Sequence, residues 1–103
     1  MILVKGTNVF PSLVEEIVRS QRDLNGEFMI VVDEVNGVYE MILQVEPKLN
    51  EQMRPESVEE IKARIVEITR EKLRLRPVVQ VMEPGSLPRF EVKAKRVVDK
   101  RKE

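Results

Sequence analysis

The chain contains no cysteine, no histidine and no tryptophan among its 103 residues. Without cysteine there is no disulfide, no thiol nucleophile and no thiolate metal site. Without histidine, imidazole acid–base chemistry is excluded as well. Aromatic residues are scarce, with one tyrosine and three phenylalanines. RNA recognition on a sheet surface needs stacking aromatics on adjacent strands, and no such pair is visible. No apolar run approaches the length of a membrane span. No basic segment followed by a long apolar stretch marks the start, so no secretory leader is expected and the default compartment is cytoplasmic. Lysine and arginine number 18, and aspartate and glutamate also number 18. A balanced chain is a poor candidate for a dedicated nucleic-acid binder, so neither nucleic acid nor membrane is expected as a partner.

What remains suits one small domain. A chain of this length buries one modest core and leaves little room for a cleft between lobes. Its charge is unevenly spread. Residues 89–103 hold seven basic side chains (Arg89, Lys93, Lys95, Arg96, Lys100, Arg101, Lys102) against three acids (Glu91, Asp99, Glu103). The basic character therefore sits in the tail.

Local patterns give an order of elements. Met1 to Lys5 is a short apolar run ended by Gly6 and reads as a strand. Asn8 to Ser12 reads as a break. A helix is predicted from Pro11 or Ser12 to about Arg22, with Ser12 and Glu15 at capping-box spacing and Leu13, Val14, Ile17 and Val18 in one apolar stripe. Asn25-Gly26 reads as its stop. Phe28 to Val35 and Val38 to Glu46 are rich in β-branched residues and flank Asn36-Gly37, which favours a two-residue hairpin turn. Pro47 closes the second strand. A polar connection containing Met53 leads to a second helix opened by Pro55-Glu56-Ser57, with Ser57 and Glu60 again at capping-box spacing. Val58, Ile61, Ile65, Ile68 and, as a last candidate, Leu73 recur at helical spacing. Pro77 reads as the stop. Val78 to Met82 is a further strand, and Glu83-Pro84-Gly85 a turn. Beyond it, a short strand or helix is placed around Lys95 to Val98.

The predicted fold is therefore a small α+β domain of βαββαβ type, an antiparallel sheet with two helices on one face. The bland readings are that the methionines fill core gaps, Glu15 and Glu16 favour a helix dipole, and Arg70, Lys72, Arg74 and Arg76 form a solvated helix end. Topology alone stops short of function.

Two segments go further. Met1 to Ser12, continuing to Glu15-Glu16, resembles the stretch just after the inter-domain hinge of phenylacetate–coenzyme A ligases, where Gly-x-Asn-Val-Phe-Pro leads into a helix bearing Glu. Glu83-Pro84-Gly85-Ser86-Leu87-Pro88-Arg89, continuing through Lys93 to Arg101, resembles the C-terminal motif of the same family, a Pro-Arg turn before a Gly-Lys pair and a basic run. The family pattern has a small residue where Phe90 stands and glycine where Val92 stands. The elements between the motifs fall in the expected order, so the resemblance spans essentially the whole chain.

The resemblance implies the lid domain of an adenylate-forming ligase over residues 1–103, with a folded core over 1–88 and a basic tail over 89–103. Such enzymes activate a carboxylate with ATP, as its Mg2+ complex, and pass the acyl group to coenzyme A. By place in the motif, Lys93 is the catalytic lysine of the first half-reaction, with Lys95 as the second candidate. An ammonium suits that step, because carboxylate attack on the α-phosphorus brings negative charges together. Lys5, Gly6 and Thr7 match the loop lining the coenzyme A channel. The implied partner is a large N-terminal adenylating domain, which also holds the pocket for an aryl or acyl carboxylate. Without it the chain is expected to be inactive. The other reading from topology is a free-standing ferredoxin-like regulatory module that binds a small effector, as a homodimer through an exposed sheet edge.

Overall fold

A computed structural model describes residues 2–48, 55–87 and 96–101. Along the chain run β1 (Ile2–Val4), β2 (Thr7–Val9), α1 (Pro11–Arg19), β3 (Leu24–Val35), β4 (Val38–Pro47), α2 (Pro55–Leu73), β5 (Val78–Val81) and β6 (Val97–Asp99). The α+β class is as expected.

The central hairpin forms where Asn-Gly allows it. Asn36 and Gly37 take φ of 52° and 82°, and Val35 pairs with Val38. The same register pairs Phe28 with Val45, Ile30 with Leu43 and Val32 with Met41. Side chains alternate across a strand, so these six share one face. All six are buried. Val14, Ile17 and Val18 of α1 and Ile61, Ile65 and Leu73 of α2 join the same core cluster. Both helices thus cover one face of the sheet.

The sheet itself is mixed, which corrects the expectation of an antiparallel one. Its order is β5-β4-β3-β6. Only β3 and β4 run antiparallel; β5 lies parallel to β4 and β6 parallel to β3. The α2 crossover returns the chain to the same end of the sheet, which makes β5 parallel. The first strand is absent from this sheet. Lys5 and Gly6 both take positive φ, 52° and 76°, and turn the chain back on itself. Residues 7–9, read as a break from Asn8 onward, therefore pair with β1. The edge beside β3 is filled by β6 from the basic tail. With β1 outside the sheet, the ferredoxin-like arrangement loses its first strand, and the regulatory-module reading loses its topological basis.

Both capping-box readings are corrected too. Pro11 occupies the first turn of α1, where its fixed φ is already helical, so Phe10 is the cap and makes no side-chain cap bond. Ser12 and Ser57 lie inside their helices. α1 ends at Arg19, short of Arg22. The Ser20 hydroxyl and the Gln21 side-chain Nε2 both donate to the Ile17 carbonyl, at 2.7 and 3.2 Å. α2 ends at Leu73, ahead of Pro77, because Arg74 turns to φ 59°. Met29 and Met41 are buried, whereas Met53 lies outside the described residues.

The C-terminal end is tied back to the start. The Lys100 amide donates to the Val32 carbonyl at 2.8 Å. Arg101 grips the Asp99 carboxylate through Nη2 at 2.7 Å and Nε at 3.0 Å, and its Nη1 donates to the Leu3 carbonyl. The Arg101 guanidinium holds the Asp99 carboxyl below the usual carboxylate range.

Two predictions follow from packing and charge. Thr69 is fully buried on α2, and its hydroxyl has no hydrogen-bond partner among the described residues. Thr69→Val removes that unmet group and is expected to stabilise the domain by about 1 kcal/mol. Thermal unfolding should show a rise in Tm of roughly 4–8 °C. Asp99 has a lowered folded-state pKa, so its pairing contributes at neutral pH and is lost as pH falls through that lowered value. An NMR titration should place the Asp99 midpoint below the ordinary aspartate value, and Arg101→Gln should bring it back.

Candidate functional site

The centre of interest is the end of the sheet where β3 begins and β4 finishes. β3 is irregular here. The pairing register shifts between Leu24 and Phe28, a bulge in which Gly26 takes φ 89°. Asn25-Gly26, read from sequence as a helix stop, therefore belongs to a strand. The bulge turns the Asn25 side chain toward β4. Its Nδ2 donates to Glu46 Oε1 at 2.8 Å, and its Oδ1 accepts from the Glu27 amide at 2.9 Å.

Glu46 is fully buried. Such a carboxyl group is costly unless its oxygens find donors. Two of them come from a distant turn: the Gly85 amide donates to Oε1 at 2.8 Å, and the Leu87 amide to Oε2 at 2.7 Å. That turn, Glu83 to Leu87, is closed by the Ser86 amide on the Glu83 carbonyl at 3.0 Å. It is also the start of the C-terminal motif. Glu46 thus binds two backbone amides at the start of that motif.

Arg96, later in the same motif, has a residue exposure of only 5%. Its Nη1 donates to the Phe28 carbonyl at 3.2 Å and its Nη2 to Glu27 Oε2 at 3.0 Å. The guanidinium also lies 5.0 Å from the centroid of the Phe28 ring, within cation–π range. β6 begins at the next residue. Lys93, Lys95, Phe90 and Val92 lie outside the described residues; Leu87 and Arg96 on either side of them lie inside.

The other sequence-derived site, Lys5-Gly6-Thr7, forms the tip of the β1–β2 turn. Lys5 Nζ meets Glu40 Oε1 of β4 at 2.6 Å. Its ammonium is therefore directed at the sheet. Gly6 faces open space: an added Cβ would meet nothing within 4 Å. The backbone of this turn can be approached closely from outside, although at φ 76° a side chain at this position would be strained. Among the described residues no group of His, Cys, Asp or Glu could hold a metal ion. Among them too, no helix is long and apolar enough to cross a membrane.

Sequence reasoning found the two motifs and missed what anchors them. Glu46 was read only as the last residue of a strand before Pro47. Arg96 stands in sequence as one of a basic run, within the short strand or helix expected around Lys95 to Val98. Neither carries a local sequence signal, because the partners of Glu46 on the turn stand 39 and 41 residues away.

Known proteins place this geometry. A phenylacetate–coenzyme A ligase of Aromatoleum evansii is 30% identical over 98% of this chain. The chain spans about a quarter of that protein, 24% of its length. A crystal structure of a domain of phenylacetate–coenzyme A ligase from Bacteroides vulgatus superposes with a TM-score of 0.88 at 26% identity, covering 99% of this chain and 93% of that one. A 2-hydroxyisobutyryl–CoA ligase in the postadenylation state, bound to an acyl adenylate, gives a TM-score of 0.81 at 26% identity, over 98% of this chain and 22% of that one. In the thioesterification state, with an acyl adenylate and CoA, the same ligase gives 0.78 at 27% identity, over 96% of this chain and 21% of that one. Residues 6–101 match the family of AMP-binding enzyme C-terminal domains, and the chain belongs to it.

Proposed function

We propose that this chain is the C-terminal lid of an ATP-dependent acid–CoA ligase acting on an aryl or acyl carboxylate, phenylacetate-like in type. The observation that carries the reading is the family match from residue 6 to residue 101, which takes in the first motif from Gly6 onward and the whole C-terminal motif up to Arg101. In this reading a large N-terminal domain binds MgATP and the acid, and the lid serves both half-reactions in a cytoplasmic catabolic enzyme. The isolated chain lacks that partner and is inactive.

Lys93 acts in the first half-reaction. Attack of the carboxylate oxygen on the α-phosphorus forms the acyl–phosphate bond and expels pyrophosphate. The lysine ammonium donates to the oxygens on which charge gathers, and its protonated form is the useful one. Lys5, Gly6 and Thr7 act in the second, where the coenzyme A thiol displaces AMP. A bare glycine backbone beside open space suits the passage of a narrow pantetheine arm. The likeness to a ligase solved with an acyl adenylate, and again with CoA, supports a lid that serves both steps.

The test separates the half-reactions in the two-domain enzyme. Lys93→Ala should lower ATP–pyrophosphate exchange on the order of a hundred- to a thousandfold. Thioester formation from supplied acyl adenylate should be retained. Full exchange activity in that variant would remove Lys93 from the mechanism. Gly6→Val should do the reverse, slowing thioester formation roughly tenfold or more while exchange is spared. Equal loss in both steps would remove the turn from the coenzyme A path.

A further inference from the structure

Lys93 belongs to a segment whose two roots are both fixed. On one side stand the amides of Gly85 and Leu87, held by Glu46. On the other stands Arg96, held by Glu27 and the Phe28 carbonyl. The roots are joined to each other. Arg96 bonds the Glu27 carboxylate at 3.0 Å, the Glu27 amide bonds Asn25 Oδ1 at 2.9 Å, and Asn25 Nδ2 bonds Glu46 Oε1 at 2.8 Å. The chain of contacts runs through the β3 bulge, which brings Asn25 and Glu27 into it.

We propose that Glu46 is a positioning residue for acyl-adenylate formation: with Asn25 it clasps together both roots of the segment that carries Lys93. The proposal rests on the role given to Lys93 above. Lys93 stands three positions before Arg96 in sequence. Three residues span at most about 10 Å of extended chain, so where Arg96 is held limits where the lysine can go. A catalytic ammonium misplaced by about an ångström costs on the order of a hundredfold in rate. A turn that merely had to be closed would not require a carboxyl group at zero exposure. The two amides lie just past the end of the β4–β5 pairing and find in this carboxylate an acceptor with two oxygens.

The experiment compares Glu46→Gln with Lys93→Ala in the two-domain enzyme, by half-reaction, and follows amide exchange in the 103-residue chain. Gln keeps the size and one acceptor oxygen but offers the Leu87 amide an NH2 group in place of an acceptor. Exchange at the Leu87 amide should quicken in Glu46→Gln and stay unchanged in Lys93→Ala. ATP–pyrophosphate exchange should fall about a hundredfold through kcat, with KM for ATP held. Thioester formation from supplied acyl adenylate should be retained. Where Glu46→Gln fails to fold, Asn25→Ala cuts the link between the two roots at an exposed residue and carries the same expectation for the two half-reactions, with the Leu87 amide still protected. A folded Glu46→Gln with full exchange activity beside a dead Lys93→Ala overturns the clasp and leaves the Lys93 reading standing. Equal loss in both half-reactions reduces Glu46 to a fold residue and overturns the proposal. Full activity in Lys93→Ala overturns the reading on which it rests.

Discussion

The central hairpin closes in one register, and the rest of the domain follows from that register. Asn36 and Gly37 supply the positive φ angles that a two-residue turn requires. From there each step along β3 and β4 is set. Phe28, Ile30, Val32, Met41, Leu43 and Val45 fall on the helix side. Asp33, Glu40 and Gln44 fall on the other. A slip of one residue would exchange the two sets and place charge beneath the helices. The sequence leaves the hairpin no comparable alternative.

That register has a second consequence at the far end of the hairpin. By simple alternation Glu46 belongs to the side away from the helices, yet it is fully buried. Donors to it come from a bulge in one strand and from a turn distant in sequence. The bulge stretches β3 so that Asn25 can reach across. A buried carboxyl group with one donor removed would be a liability of a few kcal/mol. With Asn25, Gly85 and Leu87 all donating, it becomes a fixed point between β4 and the tail. On the neighbouring strand Arg96 does the equivalent with Glu27, the Phe28 carbonyl and the Phe28 ring.

The sequence was most legible where structure is decided locally. The Asn-Gly hairpin, the apolar stripe Val14-Ile17-Val18 and the recurrence of Ile61 and Ile65 all depend on neighbours within a turn or two. Most helix and strand positions were legible for the same reason, with β2 and the irregular start of β3 as the exceptions. Partners across the sheet were not. Nothing within β1 says whether it joins the sheet or pairs with the residues after Gly6. That choice depends on Lys5 adopting positive φ, which a non-glycine residue seldom does. Nothing in Val97-Val98-Asp99 says that it will pair parallel to β3. The two motifs were visible as a resemblance because they are contiguous. Their anchors, Glu46 and Arg96, were not, since each meets partners at long range and looks ordinary where it stands.

The two proposed functional elements hang from opposite ends of one strand. Lys5, at the turn offered to coenzyme A, pairs with Glu40 near the start of β4. The tail root is held by Glu46 near its finish. Glu46 stands six positions after Glu40 on the strand, roughly 20 Å at the usual rise. A single site could not readily receive both elements at once, since the rigid sheet keeps their anchors apart. A lid of the kind proposed above, presented in two orientations, would deliver one end in each. The ion pair at one end and the Glu46 contacts at the other tie each proposed element to the same strand.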